Sequence, residues 1–453
     1  MTHNTGRVVV IGASMAGLIA ARALADAANE VLILDRDELP SSPQWRKGVP
    51  QGRHAHALLR AGEQILEDLF PGLIRDLVAR GGQRFSWFAD VLWWQFDGYR
   101  TRRADDFEGT FFTRPLLEDT VRKRLAALPN VQIRPGIRVR GLTGRDGRVT
   151  GVVTGEGEHE PAIHADLVVD ASGRGSRAGA WLEELGATAP PVDHVRIDMG
   201  YASRLLRRIP GQLPGRTWIA TLGTPPRSKR LAIAIPVEGD RWLVTLAGFF
   251  GDHAPADDAG FLAFADTLPA GDIPDLLRQA EPLTPIVRHT LRSEQWRHFE
   301  KLRRPPAGFL AIGDAICSFN PIYGQGMSSA ALQAAALSRC VAKHDLASPA
   351  LPRRFYRSAA KIVTRPWAVA VGGDFFYPET TGPRPPLVDM LNSYLRRAIV
   401  AAQHDPVVAR SVADVQNMLT PPPSVLRPSI MFRVCKGAGQ PEPVAQLAGP
   451  VPG

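Results

Sequence analysis

Cysteine is nearly missing from this sequence: 453 residues hold three, Cys317, Cys340 and Cys435. Three cannot build a disulfide framework, and no CxxC pair or Cys/His ligand spacing occurs. A reduced, cytoplasmic protein without a metal site is therefore expected. Long apolar runs are missing too. No stretch of 18 apolar residues occurs, so no membrane-spanning helix is expected. The chain opens on polar MTHNTGR and runs at once into a strand, which is not the pattern of a signal peptide. Acidic residues are in deficit, 45 against 54 basic, for a net charge of +9. The arginines are scattered among apolar residues, as at Arg204, Arg207 and Arg208, so the excess reads as solvated surface and not as a nucleic-acid site. No internal repeat is present.

What is there starts with Arg7 to Arg36, RVVVIGASMAGLIAARALADAANEVLILDR. Val8 to Ile11 is a β-branched run that reads as a buried parallel strand. A turn with Gly12, Ser14 and Gly17 leads into the helix-forming stretch Leu18 to Asp26, and a second apolar run, Val31 to Leu34, ends on Asp35. This is a βαβ unit with a glycine fingerprint and an acid 23 positions after Gly12. Gly12 permits the tight turn and Gly17 a close helix–strand approach. The helix N-terminus faces a pyrophosphate, and Asp35 a ribose hydroxyl. Ser14 stands where a middle glycine is usual, and its small side chain still leaves room. The unit alone does not say which dinucleotide binds.

Further along, Pro40, Pro43 and Pro50 mark a loop that leads to GRHAHALL, residues 52–59. His54 and His56 lie two apart with no third ligand near, so a zinc site is unexpected. The pair reads as a helix N-terminus where Arg53 faces a phosphate. Residues 85–99 carry Phe85, Trp87, Phe88, Trp93, Trp94, Phe96 and Tyr99, the densest aromatic stretch, read as a hairpin turning at Asp97-Gly98. It serves either as core or as the apolar wall of a substrate pocket, with Trp87, Trp93, Trp94 and Phe96 as candidates.

Thr113 and Pro115 start a helix. Strands are expected over 131–139, 149–153 and 165–171, the last followed by SGRGSRAGAWLEELG, a second strand–glycine–helix junction. Residues 192–298 change to short strands at hairpin spacing with two helices, the pattern of an inserted antiparallel sheet. The parallel pattern returns at Phe309 to Ile312, then Gly313-Asp314, a loop with Asn320, Pro321, Gly324 and Gly326, and the Ala-rich helix Met327 to Val341. Residues 353–413 read as helical, with breaks at Pro366 and near 378–386. The expected organisation is thus 1–191 with 299–345, then 192–298, 346–436 and a disordered tail, 437–453.

Three strand-end features in this order, at 12–17, 170–177 and 313–327, resemble the FAD-dependent aromatic-hydroxylase-like monooxygenases, the class A flavoproteins. The likeness covers roughly residues 7 to 345. Within it, RKGVPQGRHAHALL, DASGRGS and FNPIYGQGMSSAA look most like polyether alkene epoxidases such as those of lasalocid and monensin assembly. The resemblance implies an α/β fold: a Rossmann-like FAD domain of the glutathione-reductase type, an inserted antiparallel substrate sheet and a helical C-terminal region. It implies that Gly12, Ser14, Ala16 and Gly17 hold the pyrophosphate and Asp35 and Arg36 the adenosine end. Arg53 and Arg114 would meet the phosphates and ribityl chain, with Val139, Asp170 and Gly173 at the cofactor as well. Asp314 would bind the ribityl hydroxyls. Pro321, Gly324, Gly326 and Met327 would lie beside the isoalloxazine ring, where the helix dipole stabilises an anionic reduced flavin.

The implied chemistry is reduction of FAD, reaction with O2, and transfer of one oxygen atom from a flavin C4a-hydroperoxide to a small apolar natural product. Alkene epoxidation is the first reading; ring hydroxylation and prenyl reduction are the alternatives. Two departures stand out. The family carries aspartate before the mid-chain glycine, where this chain has Ser172, so NAD(P)H reduces FAD directly or through a flavin reductase. The epoxidases carry histidine at the position of Gln325. Halogenases of this fold carry a W-x-W-x-I-P run, which Trp93-Trp94 is not.

Overall fold

A computed structural model of the chain describes residues 6–155, 162–209, 211–213 and 218–437. The β-branched runs dictate its centre. Arg7–Ile11, Glu30–Leu34, Leu167–Asp170, Phe309–Ala311 and Val131–Arg134 form one parallel sheet, with Arg7–Ile11 in the middle, flanked by Leu167–Asp170 and Glu30–Leu34. Val8, Val9, Val10, Val168, Val169 and Leu310 are fully buried. Each such side chain stabilises the fold by about 1.5–3 kcal/mol relative to exposure, and burial on both faces explains the unbroken apolar runs. The helices Met15–Ala25 and Gly326–Val341 pack on each other beside this sheet.

The second sheet is mostly antiparallel. It runs Cys317–Ser318, Val287–Arg297, Val192–Arg207, Arg241–Phe249, Arg230–Val237, Trp218–Thr221, Val91–Gln95, Gly98–Tyr99, and only Trp218–Thr221 and Val91–Gln95 pair in parallel. Period-two alternation gives it two faces. Ala202, Leu206, Val244 and Leu246 pack against the helices Asp258–Asp266 and Asp272–Gln279. Leu205, Leu243, Ile235 and Trp218 face the other way, into a cluster shared with Leu59 and the C-terminal helices Val388–Ala402 and Pro406–Gln416.

Several local expectations are corrected. The strand begun at Val131 stops at Arg134, because Pro135 and Gly136, at φ +71°, turn the chain. The aromatic stretch is not one hairpin. Gln83–Ser86 pairs with Glu108–Phe111, while Val91–Gln95 joins the large sheet. That sheet therefore draws strands from residues 91–99 and 317–318 as well as from 192–298. The tight turn sits at Phe96-Asp97, both at positive φ, as a two-residue hairpin loop requires. Pro366 does not break its helix: Ala350–Asp374 continues through it. Pro366 lacks a donor, a cost of about 3 kcal/mol, offset by burial of Leu351, Phe355, Ala359, Val363, Ala370 and Val371 on the same helix. The expected tail lies outside the described residues except for Gly437, which ends the helix Pro428–Gly437. Among the described residues the cysteines are free, no three acidic, His or Cys side chains group to hold a metal, and no helix is long and apolar enough to cross a membrane.

Candidate functional site

Ile11, Leu34, Asp170 and Ala311 all end parallel strands at one edge, the edge where open α/β sheets bind ligands. Two glycines shape the first turn there. Gly12 is at φ +105°, and a Cβ on it would lie 2.7 Å from the Ala171 carbonyl oxygen. A Cβ on Gly17 would lie 1.8 Å from the Gly12 carbonyl oxygen. The helix Met15–Ala25 can press onto the turn only because Gly17 lacks a side chain, and the chain at Ala171 can approach that turn only because Gly12 lacks one. Ala16 in turn touches Gly313, where an added Cβ would meet the Ala16 methyl at 2.6 Å.

Ser14 has its own task. It precedes the helix without capping it. Its Oγ accepts from Arg114 Nη2 at 2.9 Å and donates to Glu118 Oε2 at 3.2 Å. Asp35 is buried and accepts from the N–H groups of Ala13 at 2.7 Å and Asp37 at 2.9 Å. Arg46, which sequence reasoning missed, ties the corner together: Nη1 reaches both Asp35 oxygens at 3.2 Å and Asp37 at 2.9 Å, and Nε reaches Glu118 at 2.9 Å. Burial works against the Arg46 charge, but Glu118 and Asp35 outweigh it and hold the guanidinium more firmly protonated. Its Nη2 is buried without a hydrogen-bond partner among the described residues. Both Asp35 oxygens are thus engaged by Arg46 and by backbone N–H groups.

At the other end, Gly313 at φ +64° carries the chain from the last parallel strand into Asp314. The Asp314 carboxyl is raised by burial, against the pull of Arg114, Arg174 and Arg297. A Cβ on Gly326, the first residue of Gly326–Val341, would lie 3.7 Å from Asp314 Oδ1. That helix start has no side-chain cap, so its first-turn N–H groups and dipole are available. Gly324, at φ +65°, brings the preceding loop against Ala57. Pro321 is exposed, Met327 is buried in the core, and Gln325 is 1% exposed with neither amide atom partnered among the described residues.

The remaining expected residues divide. Arg36 is exposed, and Arg53 is exposed with its guanidinium 5.0 Å from the Trp45 ring. Val139 is half-buried against the core. Asp170 is fully buried and spends its carboxylate on Ser172 N–H at 2.9 Å and Ser176 Oγ at 2.5 Å. It builds the DASGRGS turn, in which Gly173 takes φ +83°. Arg174 leaves that turn to donate to Ser293 and Ser318 Oγ, at 3.0 and 3.2 Å, on the second sheet.

Of the four expected pocket aromatics, Trp87 is core, packed edge-on against Phe85 and Trp218. Phe96 sits in the turn against Phe376. Trp93 and Trp94 stand on opposite faces: Trp93 pairs with Ala220 and joins the inner cluster, whereas Trp94 pairs with Thr221 on the outer side, beyond Leu92.

The histidine pair does not open a helix, which begins only at Arg60. His54 instead enters the core, 2% exposed, with Nδ1 2.7 Å from Ser203 Oγ, which lies 2.6 Å from Thr245 Oγ1. Ala55 N–H donates to Thr245 at 3.1 Å. If Thr245 donates to Ser203 and Ser203 to Nδ1, each hydroxyl donates once and accepts once, and the imidazole proton sits on Nε2. That Nε2 has no hydrogen-bond partner among the described residues. Burial, then His289, His56 and Arg53, lower the His54 pKa to about 3, and burial lowers His56 to about 4. Tyr201 and His289 pack around His54, with ring centroids at 4.4 and 6.1 Å. No local signal in GRHAHALL predicted these partners, which come from strands far along the chain.

A family model described as FAD dependent oxidoreductase matches residues 7–184. Protein Rv3254 of Mycobacterium tuberculosis is 36% identical over 426 residues, 89% of this chain and 89% of that protein. The chain belongs to the FAD-dependent oxidoreductase family. Kynurenine 3-monooxygenase of Salinispora tropica is 27% identical over 390 residues, 80% of this oxidoreductase and 78% of that enzyme. Two solved structures share the fold: the flavin-dependent brominase Bmp2, with a TM-score of 0.66, 16% identity and 95% and 98% of the two chains covered, and Pseudomonas aeruginosa PqsL, with 0.60, 16%, 82% and 95%. The groove fits FAD on its own terms. The glycine-cleared helix start, Asp314 beside a second uncapped helix start, and the unpartnered Gln325 amide form a cradle of the required chemistry.

Proposed function

We propose that this oxidoreductase is a monooxygenase that transfers one atom of O2 to a small, largely apolar organic substrate, with electrons from NAD(P)H directly or through a flavin reductase. The observation that carries the reading is the His54–Tyr201–His289 group on the inner face of the second sheet, where the charge of Asp314 acts on Tyr201. Bound and reduced, FAD supplies O2 activation and delivery of the oxygen atom. The chain supplies the rest. Gly12, Ser14, Ala16 and Gly17 hold the pyrophosphate with Arg114, Asp314 takes the ribityl hydroxyls, and the start of Gly326–Val341 favours negative charge on the ring. Trp93 and Ile233, packed with Ala57 and Leu59, keep water from the substrate side.

Ring hydroxylation is the favoured reaction. His54 offers a fixed Nε2–H donor, and burial, then Arg174, lower the pKa of His289 so that it is neutral and able to take a ring-hydroxyl proton. The kynurenine 3-monooxygenase relatives support this reading. Alkene epoxidation, which needs no such base, is the second reading, favoured by the apolar Trp93 wall. The test is turnover of phenolic, aniline and alkene substrates under 18O2 with NADPH, with and without a flavin reductase. A product heavier by one labelled oxygen is expected, and its NMR spectrum separates phenol from epoxide. A protein that takes up no FAD, or a product gaining two hydrogens, overturns the proposal.

A further inference from the structure

Beneath the ring-side loop lie two acids outside every motif of the sequence. Glu294, on Val287–Arg297, is 0% exposed, and Asp374, the last residue of Ala350–Asp374, is 1% exposed. Asn320 joins them. Its backbone N–H donates to Glu294 Oε1 at 2.7 Å and its Nδ2–H to Asp374 Oδ1 at 2.7 Å, while its Oδ1 accepts from Ile322 N–H at 3.2 Å. Tyr323 Oη–H reaches the same Asp374 oxygen at 3.5 Å. The remaining oxygens, Glu294 Oε2 and Asp374 Oδ2, are buried and receive no donor from any described residue, on two carboxyls that Asn320 ties together and whose charges act on each other. Two carboxyl oxygens can bond each other only across a proton. A proton on Glu294 would give Oε2 a hydrogen to donate to Oδ2, and all four oxygens would then be satisfied.

We propose that Glu294 and Asp374 share one proton and, through Asn320, act as the positioning pair that sets the turn Pro321–Tyr323 and the start of Gly326–Val341 against the flavin ring. The proposal rests on the reading of this loop as the ring-side loop of an FAD site. The pair is faced by Tyr323 and Tyr377, by Cys317 and by Arg174. Burial raises both tyrosines and the thiol, which stay neutral near pH 7 and do not compete for the switch. Burial also raises Glu294, and it lifts Asp374 to about 7 against the hydrogen bonds it accepts. Raised carboxyls bind protons more tightly in the folded state. The loop is therefore held best at low pH and loosens as pH rises through 7, when like charges meet in a dry site.

The experiment follows hydrogen exchange of residues 319–326 and flavin fluorescence in the FAD-loaded protein between pH 6 and 9, with exchange corrected for its intrinsic rate. In the wild type, loop exchange should rise about tenfold over this range, the change for one unit of proton linkage, with a parallel change in flavin fluorescence. Asp374→Asn keeps the acceptor for Asn320 and offers Glu294 a permanent donor, so both signals should be flat and protected throughout. Glu294→Gln should do the same from the other side and serves if Asp374→Asn does not fold. Exchange independent of pH in the wild type overturns the shared proton. Exchange that rises with pH while the flavin signal stays fixed overturns the placement of the ring on this loop.

Discussion

Replacing Gly17 by alanine sets two physical effects against each other. Gly17 is inside the helix Met15–Ala25, and helix propensity alone makes alanine better there by about 1 kcal/mol. The fold says the opposite. The new Cβ would lie 1.8 Å from the Gly12 carbonyl oxygen, a backbone atom that no rotamer change can move aside, and 3.4 Å from the Ala171 Cβ. Restoring ordinary contact requires the helix to retreat by roughly 1.5 Å, given carbon–atom separations of about 3.5 Å. Overpacking of this kind costs about 1–3 kcal/mol, so the net effect is destabilising despite the better propensity. On the proposed reading, in which this helix start holds the pyrophosphate, the retreat also lifts it from that group, so FAD retention should fall with stability. Gly175→Ala is the control, since nothing lies within 4 Å of its Cβ and its φ is not positive. Thermal unfolding by circular dichroism and flavin content after gel filtration read the two effects. A Gly17→Ala protein that melts higher than wild type, or keeps full flavin, refutes the reasoning.

Arg46→Met should be among the most damaging single changes, about 3–5 kcal/mol in urea unfolding, because Asp35, Asp37 and Glu118 keep their burial and lose their common cation. His54, with its pKa held at about 3, should show no imidazole titration by NMR between pH 5 and 8. The unfolded chain binds that proton near pH 6.5, so acidification below 6.5 should lower the melting temperature, and His54→Asn should reduce that slope. Trp93→Ala should change substrate KM by about tenfold, the scale of about 1.4 kcal/mol. Trp94→Ala, on the outer face, should leave KM within twofold, and equal effects of the two would contradict the assignment of faces.

The buried strands and their glycine turns were legible because their signals are local. Val8 to Ile11 are apolar without alternation, Gly12 and Gly17 follow at fixed offsets, and the same strand–glycine sequence recurs at Asp170 and Asp314. The inserted antiparallel pattern was equally visible in its hairpin spacing. Misreadings arose where distant contacts overrode local rules. Pro366 stays helical because packing outweighs a lost hydrogen bond, and Asp170 turns inward to Ser172 and Ser176. Trp93 and Trp94 were indistinguishable as a pair of aromatics until strand register assigned one to each face.

The sequence by itself determined that a dinucleotide cradle forms, since a strand, a turn and a helix start are specified within about 30 residues. Only the tertiary structure decided what surrounds that cradle. Ser14 meets Glu118 across 104 residues of chain, His54 meets Ser203 across 149, and Asn320 meets Asp374 across 54. Such polar pairs leave no periodicity behind, because a hydroxyl, an imidazole or a carboxyl is equally at home in solvent. Their roles exist only where folding removes water and leaves each group a single partner.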